Sequence, residues 1–257
     1  MEKTNYMSRR VLFSIALVAL VVSSTMASEV ILSAENLNAS LKQIQRLQAG
    51  LEDATQDERP GLLFQLGVTA DDLAMLLTNE VIVYDMQQRG LIDLAMQRTE
   101  ESGVAILWFP EKKRFIYDGA AFREYLEMVR EGDEAAEGAF RLLEIEFFQS
   151  DGNDIESLLL AAEHKKQYLL HYPDYSRAAE AGILLAVDYR DLWRLYRDSG
   201  DHENAQRYGE NTLTQFQQIA ERYPGTREAR IAEGLFQRFE AELLDDTSVT
   251  PDNTGGG

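Results

Sequence analysis

The chain of 257 residues contains no cysteine. This absence excludes structural disulfides, thiolate metal sites, cysteine nucleophiles and a lipid anchor on an amino-terminal cysteine. Secreted eukaryotic domains of this length usually contain disulfides, so their absence is more typical of a protein that folds in bacteria. Composition therefore limits the chain to functions that need neither thiol chemistry nor covalent cross-links.

Histidine is also scarce, with three in the whole chain. His164 and His171 are seven residues apart in a predicted helix, which separates them by about 10 Å and does not suit a shared metal ion. No phosphate-binding glycine loop, H-E-x-x-H or G-x-S-x-G motif occurs. We therefore predict no metal site, no cofactor and no catalytic residue. A hydrolase with a pair of carboxylates is the remote alternative, because acidic side chains are abundant.

Basic side chains are outnumbered, with 25 lysines and arginines against 44 aspartates and glutamates and a net charge of −19. Such a surface repels nucleic acids and anionic lipid headgroups, and it favours solubility. We predict no nucleic-acid partner. The acidic residues are interpreted as a solvated surface, and a basic protein partner is the alternative.

Long apolar runs are absent except near the start of the chain. The apolar segment Val11–Val22 follows Lys3 and a pair of arginines, and small residues end at Ala27. This pattern predicts a signal peptide over residues 1–27, cleaved between Ala27 and Ser28. The apolar segment is short for crossing about 30 Å of hydrocarbon, so a retained anchor is the alternative.

Cleavage at that point would remove three basic side chains and one acidic side chain, leaving 22 and 43 and a net charge near −21. An exported chain without cysteine suits the bacterial periplasm. We predict a periplasmic or secreted protein of a Gram-negative bacterium, with no transmembrane segment after signal cleavage.

Residues 28–60 are predicted to form an amino-terminal helix. Within Ala34–Asp53, apolar residues recur at alternating four- and three-residue steps: Leu37, Leu41, Ile44 and Leu51. This is the spacing of a coiled-coil seam, over about two and a half heptads. The segment is either a seam that joins copies of the chain or an amphipathic helix that packs on its own domain.

Residues 61–131 are predicted to be helical with one small β-hairpin near 104–117. Thr69, followed by two aspartates, indicates a helix start, because a hydroxyl and carboxylates satisfy the exposed amides there. The runs Ala105–Phe109 and Arg114–Tyr117 are rich in β-branched and aromatic residues and flank a four-residue loop. A lone hairpin is barely stable in water, so this one is expected to pack on helices.

Residues 132–246 show a regular alternation of helices and turns. Glycine turns alternate with Tyr-Pro turns, and HYPDYSRAAEAGILLA from His171 is echoed 51 residues later by RYPGTREARIAEGLFQ from Arg222. The pattern predicts stacked antiparallel helical hairpins. Residues 247–257 are polar and are predicted to be a disordered tail. The predicted helices are Glu134–Phe148, Asp154–Tyr172, Ser176–Arg197, His202–Tyr223 and Arg227–Leu244.

The repeat carries a family pattern. Leu185-Ala186-Val187-Asp188-Tyr189 fits the L-G-x2-Y core of a tetratricopeptide first helix, with alanine for glycine, and Gly200 and Pro224 fit its turns. The chain therefore resembles tetratricopeptide-like helical repeat proteins of the bacterial cell envelope. The repeat interval exceeds the family's usual length of about 34 residues. The resemblance implies a mainly α solenoid of stacked antiparallel hairpins with a groove for a partner.

Candidate partner contacts follow from an aromatic stripe on the predicted helix Ser176–Arg197. Tyr189, Trp193 and Tyr196 lie on one face, and aromatic side chains are efficient interface anchors. We predict that they hold a peptide segment or partner helix, with surrounding acids selecting basic residues; core packing is the alternative. The predicted function is a scaffold or adaptor in envelope assembly. A structural homo-oligomer without a dedicated groove is the competing hypothesis.

Overall fold

The computed structural model describes residues 32–84, 87–150 and 152–248, without the side chains of 245–248. The predicted signal peptide, its cleavage site at Ala27 and Ser28, and residues 249–257 of the predicted tail lie outside this part. The described residues form nine helices and one two-stranded antiparallel sheet, so the predicted mainly α fold is confirmed. The chain divides into two compact units, and the division falls between Gln149 and Ser150.

The amino-terminal unit holds five helices and the sheet. The helix Asp133–Gln149 packs on other elements of this unit, whereas the sequence placed it in the repeat region that starts at residue 132. The division between the units therefore lies 18 residues further along the chain. The elements in chain order are α1 Ala34–Asp53, α2 Arg59–Tyr84, α3 Arg89–Glu101, β1 Ile106–Phe109, β2 Arg114–Tyr117, α4 Ala120–Met128 and α5 Asp133–Gln149.

Helix α1 spans Ala34–Asp53, the stretch of the predicted amino-terminal region in which the apolar residues recur. Its first turn is capped by Ser33, whose Oγ accepts a hydrogen bond from the Asn36 amide at 3.1 Å. The residues of the predicted oligomer seam lie on the face that packs against α2, since Leu37, Leu41 and Ile44 are buried and Leu51 is half-buried. These side chains are thus covered within a single copy of the chain.

Helix α2 begins ten residues before the predicted start at Thr69, and that prediction was wrong. Pro60 stands in the first turn of the helix, where its missing amide hydrogen needs no partner and its fixed backbone angle is helical. Thr69 lies inside the helix and donates its hydroxyl hydrogen to the Gln65 carbonyl at 2.8 Å.

Helix α2 is also long and apolar enough to cross a membrane by length and composition alone. The core helix of a soluble protein passes the same test, and 44% of the qualifying window is buried. α2 packs on α1, α4, α5 and β2, with Leu63, Leu73 and Leu77 buried. The prediction of no further transmembrane segment therefore depends on this helix.

The core of the amino-terminal unit is built around Phe122 of α4. Its ring contacts those of Phe64 and Tyr117, at centroid distances of 6.2 Å in both cases. A Cβ atom on Gly67 would lie 2.6 Å from the Phe122 ring, so α2 and α4 approach this closely only because residue 67 has no side chain. The predicted hairpin is present nearby, with Ile106 paired to Tyr117.

The carboxy-terminal unit is a run of four helices, α6 Ile155–His171, α7 Ala178–Ser199, α8 His202–Arg222 and α9 Arg227–Ser248. Each packs on the next, and the connections are short, so neighbouring helices run antiparallel as predicted. α7 also contacts α9 and contributes the largest set of buried residues. It is the central helix of the unit.

The repeated Tyr-Pro turns of the sequence are repeated in structure. Tyr172 has φ −125° and ψ 50° at the end of α6, and Tyr223 has φ −118° and ψ 52° at the end of α8. The hydroxyl of Tyr223 donates a hydrogen bond to the Pro173 carbonyl at 3.0 Å. The two turns therefore lie side by side, which aligns α6 with α8.

Candidate functional site

A cleft of about 330 Å³ lies in the carboxy-terminal unit, bounded by α6, α7 and α8. Its floor is apolar and includes Leu169, Leu185 and Ile219. Polar groups stand around this floor, among them the amides of Gln215 and Gln218. An apolar depression with a few convergent polar groups is the usual form of a binding site.

The cleft exists where α7 carries small side chains. Ala178 and Gly182 line it, so α7 offers little bulk along this stretch. A Cβ atom on Gly182 would lie 3.0 Å from Cγ1 of Ile219 and 3.2 Å from Nε2 of Gln215. Glycine at 182 therefore allows α8 to pack closely here, and it leaves the neighbouring space beside α7 open.

The edge of the cleft exposes apolar surface. Leu170, near the end of α6, has 72% of its area exposed although it is a large apolar residue. Tyr189 of α7 and Tyr223 at the end of α8 add two phenol rings. Apolar side chains at the mouth of a depression are typical of surfaces that bind another molecule.

The charge of the cleft is opposite to that of the chain. Lys166 and Arg222 line it, and no residue that lines it is acidic. Lys166 Nζ lies 5.8 Å from the centre of the Tyr189 ring and 3.3 Å from Glu163 Oε2, and Arg222 Nη2 lies 3.1 Å from Asp174 Oδ1. The cleft thus presents two cations within a protein whose net charge is −19.

Lys166 keeps its positive charge at neutral pH. Partial burial works to lower the pKa of its ammonium group, but the nearby Tyr189 and Glu163 outweigh this, and the pKa is raised. For Tyr189, burial raises the pKa of the phenol, against the effect of Lys166. The pair therefore consists of a cation and a neutral phenol that can donate a hydrogen bond.

The structure brings only one of the three predicted partner contacts to the cleft. Tyr189 lines it, whereas Trp193 is 3% exposed and packs edge-to-face on Phe239, with ring centroids 5.0 Å apart. Tyr196 stacks on Tyr208 at 5.5 Å with an interplanar angle of 4°. Trp193 and Tyr196 thus take the core-packing alternative that the sequence left open.

Sequence reasoning missed the cleft residues of the neighbouring helices. Lys166 and Leu170 lie on α6, and Arg222 is the last residue of α8. One signal was available, since Leu170 and Arg222 each lie one or two residues before a Tyr-Pro turn. The repeat of these turns places the ends of α6 and α8 next to each other, and with them the residues just before the turns.

An enclosed ion pair lies next to the cleft residues in the sequence. Lys165 Nζ of α6 contacts Asp188 Oδ2 of α7 at 2.7 Å, with side-chain exposures of 0% and 3%. Charges are very costly to bury unless they are paired. The pair therefore fixes how α6 and α7 face each other, and with it the positions of Lys166 and Tyr189.

The amino-terminal unit has a different charged cluster, in which Arg141 of α5 binds three carboxylates. Its guanidinium lies 2.8 Å from Asp71, 2.9 Å from Asp72 and 2.8 Å from Glu137. Burial raises the pKa of Asp71 to about 6, against the attraction of Arg141 and with a further contribution from Asp72. Nowhere in the described part of the chain do three or more potential metal ligands form a group that could hold an ion.

No protein-family model and no curated protein matches the chain. Among solved structures it is similar to a crystal structure of a de novo designed helical repeat protein, with 17% identity over 93% of this chain and 95% of the other, and a TM-score of 0.25. That score carries no argument about function. The helical repeat is instead evident in the packing of α6 to α9 and in their two matching turns.

Proposed function

We propose that the chain is an exported adaptor that binds a protein partner in the cleft between α6, α7 and α8. The observation that carries the proposal is the cleft, with its apolar floor, the exposed Leu170 and two cations in an acidic chain. The predicted signal peptide and the resemblance to tetratricopeptide-like envelope proteins favour a periplasmic role in envelope assembly.

The charge of the cleft identifies the kind of partner. The sequence led us to expect acidic surroundings that select basic residues, but Lys166 and Arg222 stand at the cleft instead. A partner segment with an apolar side chain and a nearby carboxylate fits this arrangement, because the cations would pair with the acid. The proposed preference is therefore the reverse of the one expected from composition.

The size of the cleft limits what enters it. A volume of about 330 Å³ is at the small end of ligand pockets, which suits one or two side chains. A short helical or extended segment fits this limit. The same lining disfavours the hydrolase alternative at this site, because a pair of carboxylates is needed for that chemistry and none lines the cleft.

The experiment is affinity capture from the cell-envelope extract of the source organism, with the chain from Ser28 onward as bait. The test variant is Leu170→Glu, which places a negative charge beside the apolar floor. The matched control is Leu160→Glu on the same helix, because Leu160 is 59% exposed and does not line the cleft. Circular dichroism of all three baits checks that each is folded.

We expect the unaltered chain and Leu160→Glu to retain the same envelope proteins, and Leu170→Glu to lose them. Equal capture by all three baits would place the binding surface elsewhere and overturn the proposal. Recovery of nothing but further copies of the chain would favour the structural homo-oligomer.

A further inference from the structure

The two helical hairpins of the carboxy-terminal unit match residue by residue. Their Tyr-Pro turns place Pro173 and Pro224 at equivalent positions, 51 residues apart. The same interval relates four buried positions on α6 to four on α8, and four on α7 to four on α9. The equivalent residues are Leu158 and Gly209, Ala161 and Thr212, Lys165 and Phe216, Tyr168 and Ile219, Ala178 and Ala229, Ala181 and Ala232, Leu184 and Leu235, and Asp188 and Phe239. The two hairpins therefore share one pattern of packing.

Two of these buried positions differ in charge. The first hairpin has Lys165 and Asp188 where the second has Phe216 and Phe239. All four residues are at most 2% exposed. The same packing pattern thus forms with apolar side chains at both positions, and the fold of a hairpin does not require an ion pair there.

Stability alone does not explain the enclosed pair. Removing two charges from water is costly, and their attraction in the interior often only offsets that cost. Replacing such a pair by apolar side chains of similar volume is often neutral or stabilising. The second hairpin has the apolar solution, so the first hairpin has a feature that calls for another role.

The pair supplies a directional contact to a helix that is held from one side. α6 packs mainly on α7, whereas α8 packs on both α7 and α9. Apolar contacts depend on buried area and tolerate rotation of one helix against another. The hydrogen bond from Lys165 Nζ to Asp188 Oδ2, at 2.7 Å, connects two charged groups and needs one arrangement. It therefore restricts the rotation of α6 more than apolar packing would.

The residues that follow the pair in sequence, Lys166 and Tyr189, both line the cleft. Their equivalents in the second hairpin, Gln217 and Glu240, do not line it. A rotation of α6 by about 25°, a quarter of the step between successive helical residues, would move a side-chain tip at a radius of about 5–6 Å by about 2–3 Å. Such a shift would take the ammonium group of Lys166 away from the ring of Tyr189.

We propose that Lys165 and Asp188 are positioning residues of the cleft, which hold Lys166 and Tyr189 in the arrangement that a partner binds. This role rests on the function proposed for the cleft, and it is separate from stability. An apolar pair in the same place leaves the unit folded and the cleft misaligned.

The test variant is the double substitution Lys165→Met/Asp188→Leu in the chain from Ser28 onward. It replaces both charges by apolar side chains, so neither charge is left buried without its partner. The control is Phe239→Leu, at the position of the second hairpin that is equivalent to Asp188. Phe239 packs on Trp193 and does not line the cleft, so this variant removes core volume elsewhere in the unit.

Two measurements need no partner. Urea unfolding measures stability, and the nuclear Overhauser effect between the ε-methylene protons of Lys166 and the ring protons of Tyr189 reports their arrangement. Lys166 Nζ lies 5.8 Å from the centre of that ring. We expect the double variant to be at least as stable as the unaltered chain and to lose this Overhauser contact. Phe239→Leu should be less stable, because it leaves a cavity, and should keep the contact.

A double variant that is less stable than the unaltered chain would make the pair a structural one and overturn the proposal. An Overhauser contact that persists in the double variant, or that the unaltered chain lacks, would overturn it too.

The captured envelope partner gives a third measurement. Its affinity should fall at least about tenfold for the double variant, because a charged contact is misplaced, and should change little for Phe239→Leu. Equal affinity for the double variant and the unaltered chain would contradict a role in recognition. If no partner is captured, the function proposed for the cleft fails, while stability and the Overhauser contact still decide whether the pair positions Lys166.

Discussion

The two units of the chain bury apolar surface in different ways. In the amino-terminal unit, helices and the β-hairpin surround the ring of Phe122. Gly67 has no side chain, so α2 can approach this ring closely. The carboxy-terminal unit repeats one motif, the helical hairpin, and uses small residues such as Gly182 along its central helix. The irregular unit packs different elements around one aromatic ring, whereas the repeated unit has a cleft beside α7.

The charged groups of the two units also differ, in how far they are exposed to water. Arg141 binds three carboxylates whose side chains are 17% to 54% exposed, so water shares in solvating the cluster. Lys165 and Asp188 are almost fully enclosed between two neighbouring helices. The repeated unit thus has an enclosed ion pair between two of its helices, whereas the irregular unit has a partly exposed charged cluster.

The largest expected effect concerns the enclosed pair. Lys165→Met should lower the free energy of unfolding by about 3–5 kcal/mol, because Asp188 would be left as a buried charge without its ammonium partner. Arg141→Met should cost less, since water reaches the carboxylates of its cluster. Urea unfolding of both variants measures the difference. An equal or larger cost for Arg141→Met would show that enclosure does not distinguish the units.

A second prediction concerns close packing in the amino-terminal unit. Gly67→Ala should destabilise the protein by about 1–3 kcal/mol, because the new methyl group would overlap the Phe122 ring. Gly234→Ala on α9 is the control, since a methyl group there meets nothing within 4 Å. That variant should gain about 0.5–1 kcal/mol from the better helix propensity of alanine. Thermal unfolding of the two variants should move in opposite directions.

A third prediction uses the raised pKa of Asp71. With a pKa of about 6 in the folded protein, the carboxyl group stabilises the fold fully below its usual pKa near 3.8, and this contribution is lost as the pH rises through 6. Asp71→Asn should remove that part of the pH dependence, worth about 2 kcal/mol between pH 4 and 7 after allowance for partial exposure. The exposed Asp93→Asn is the control. Parallel stability curves for wild type and Asp71→Asn would contradict the assignment.

The smallest expected effect tests the contact between the two Tyr-Pro turns. Tyr223→Phe removes the hydroxyl that donates to the Pro173 carbonyl, and it should cost about 0.5–1.5 kcal/mol. Amide hydrogen exchange should quicken at the two turns and remain unchanged in the amino-terminal unit. Unchanged exchange at the turns would show that the helices are aligned without this bond.

Periodicity and capping predicted most of the helices. Helix α1 covers the stretch in which the apolar spacing recurs, and the helices of the carboxy-terminal unit end within a few residues of the glycine and proline turns. The start of α2 was missed because Pro60 is compatible with both a break and a first helical turn. Capping and periodicity predict which segments are helices, but where a helix begins beside a proline depends on tertiary packing.

The cleft was only partly predictable for a related reason. Tyr189, Trp193 and Tyr196 share one face of α7, but the cleft lies beside Tyr189 alone, while α8 and α9 cover the other two rings. The position of these helices is a tertiary property. The proximity of Lys166 and Arg222, 56 residues apart, likewise follows from the alignment of α6 with α8 and from no local pattern.

The most direct test of the cleft measures the affinity of the captured partner for two variants of the chain, each of which reverses one charge. Arg222→Glu changes a residue that lines the cleft, and Arg230→Glu makes the same change at an exposed residue of the same unit outside it. We expect the affinity to fall at least about tenfold for Arg222→Glu, because a charge attraction is replaced by a repulsion, and to change little for Arg230→Glu. Equal affinities for the two variants would contradict this expectation.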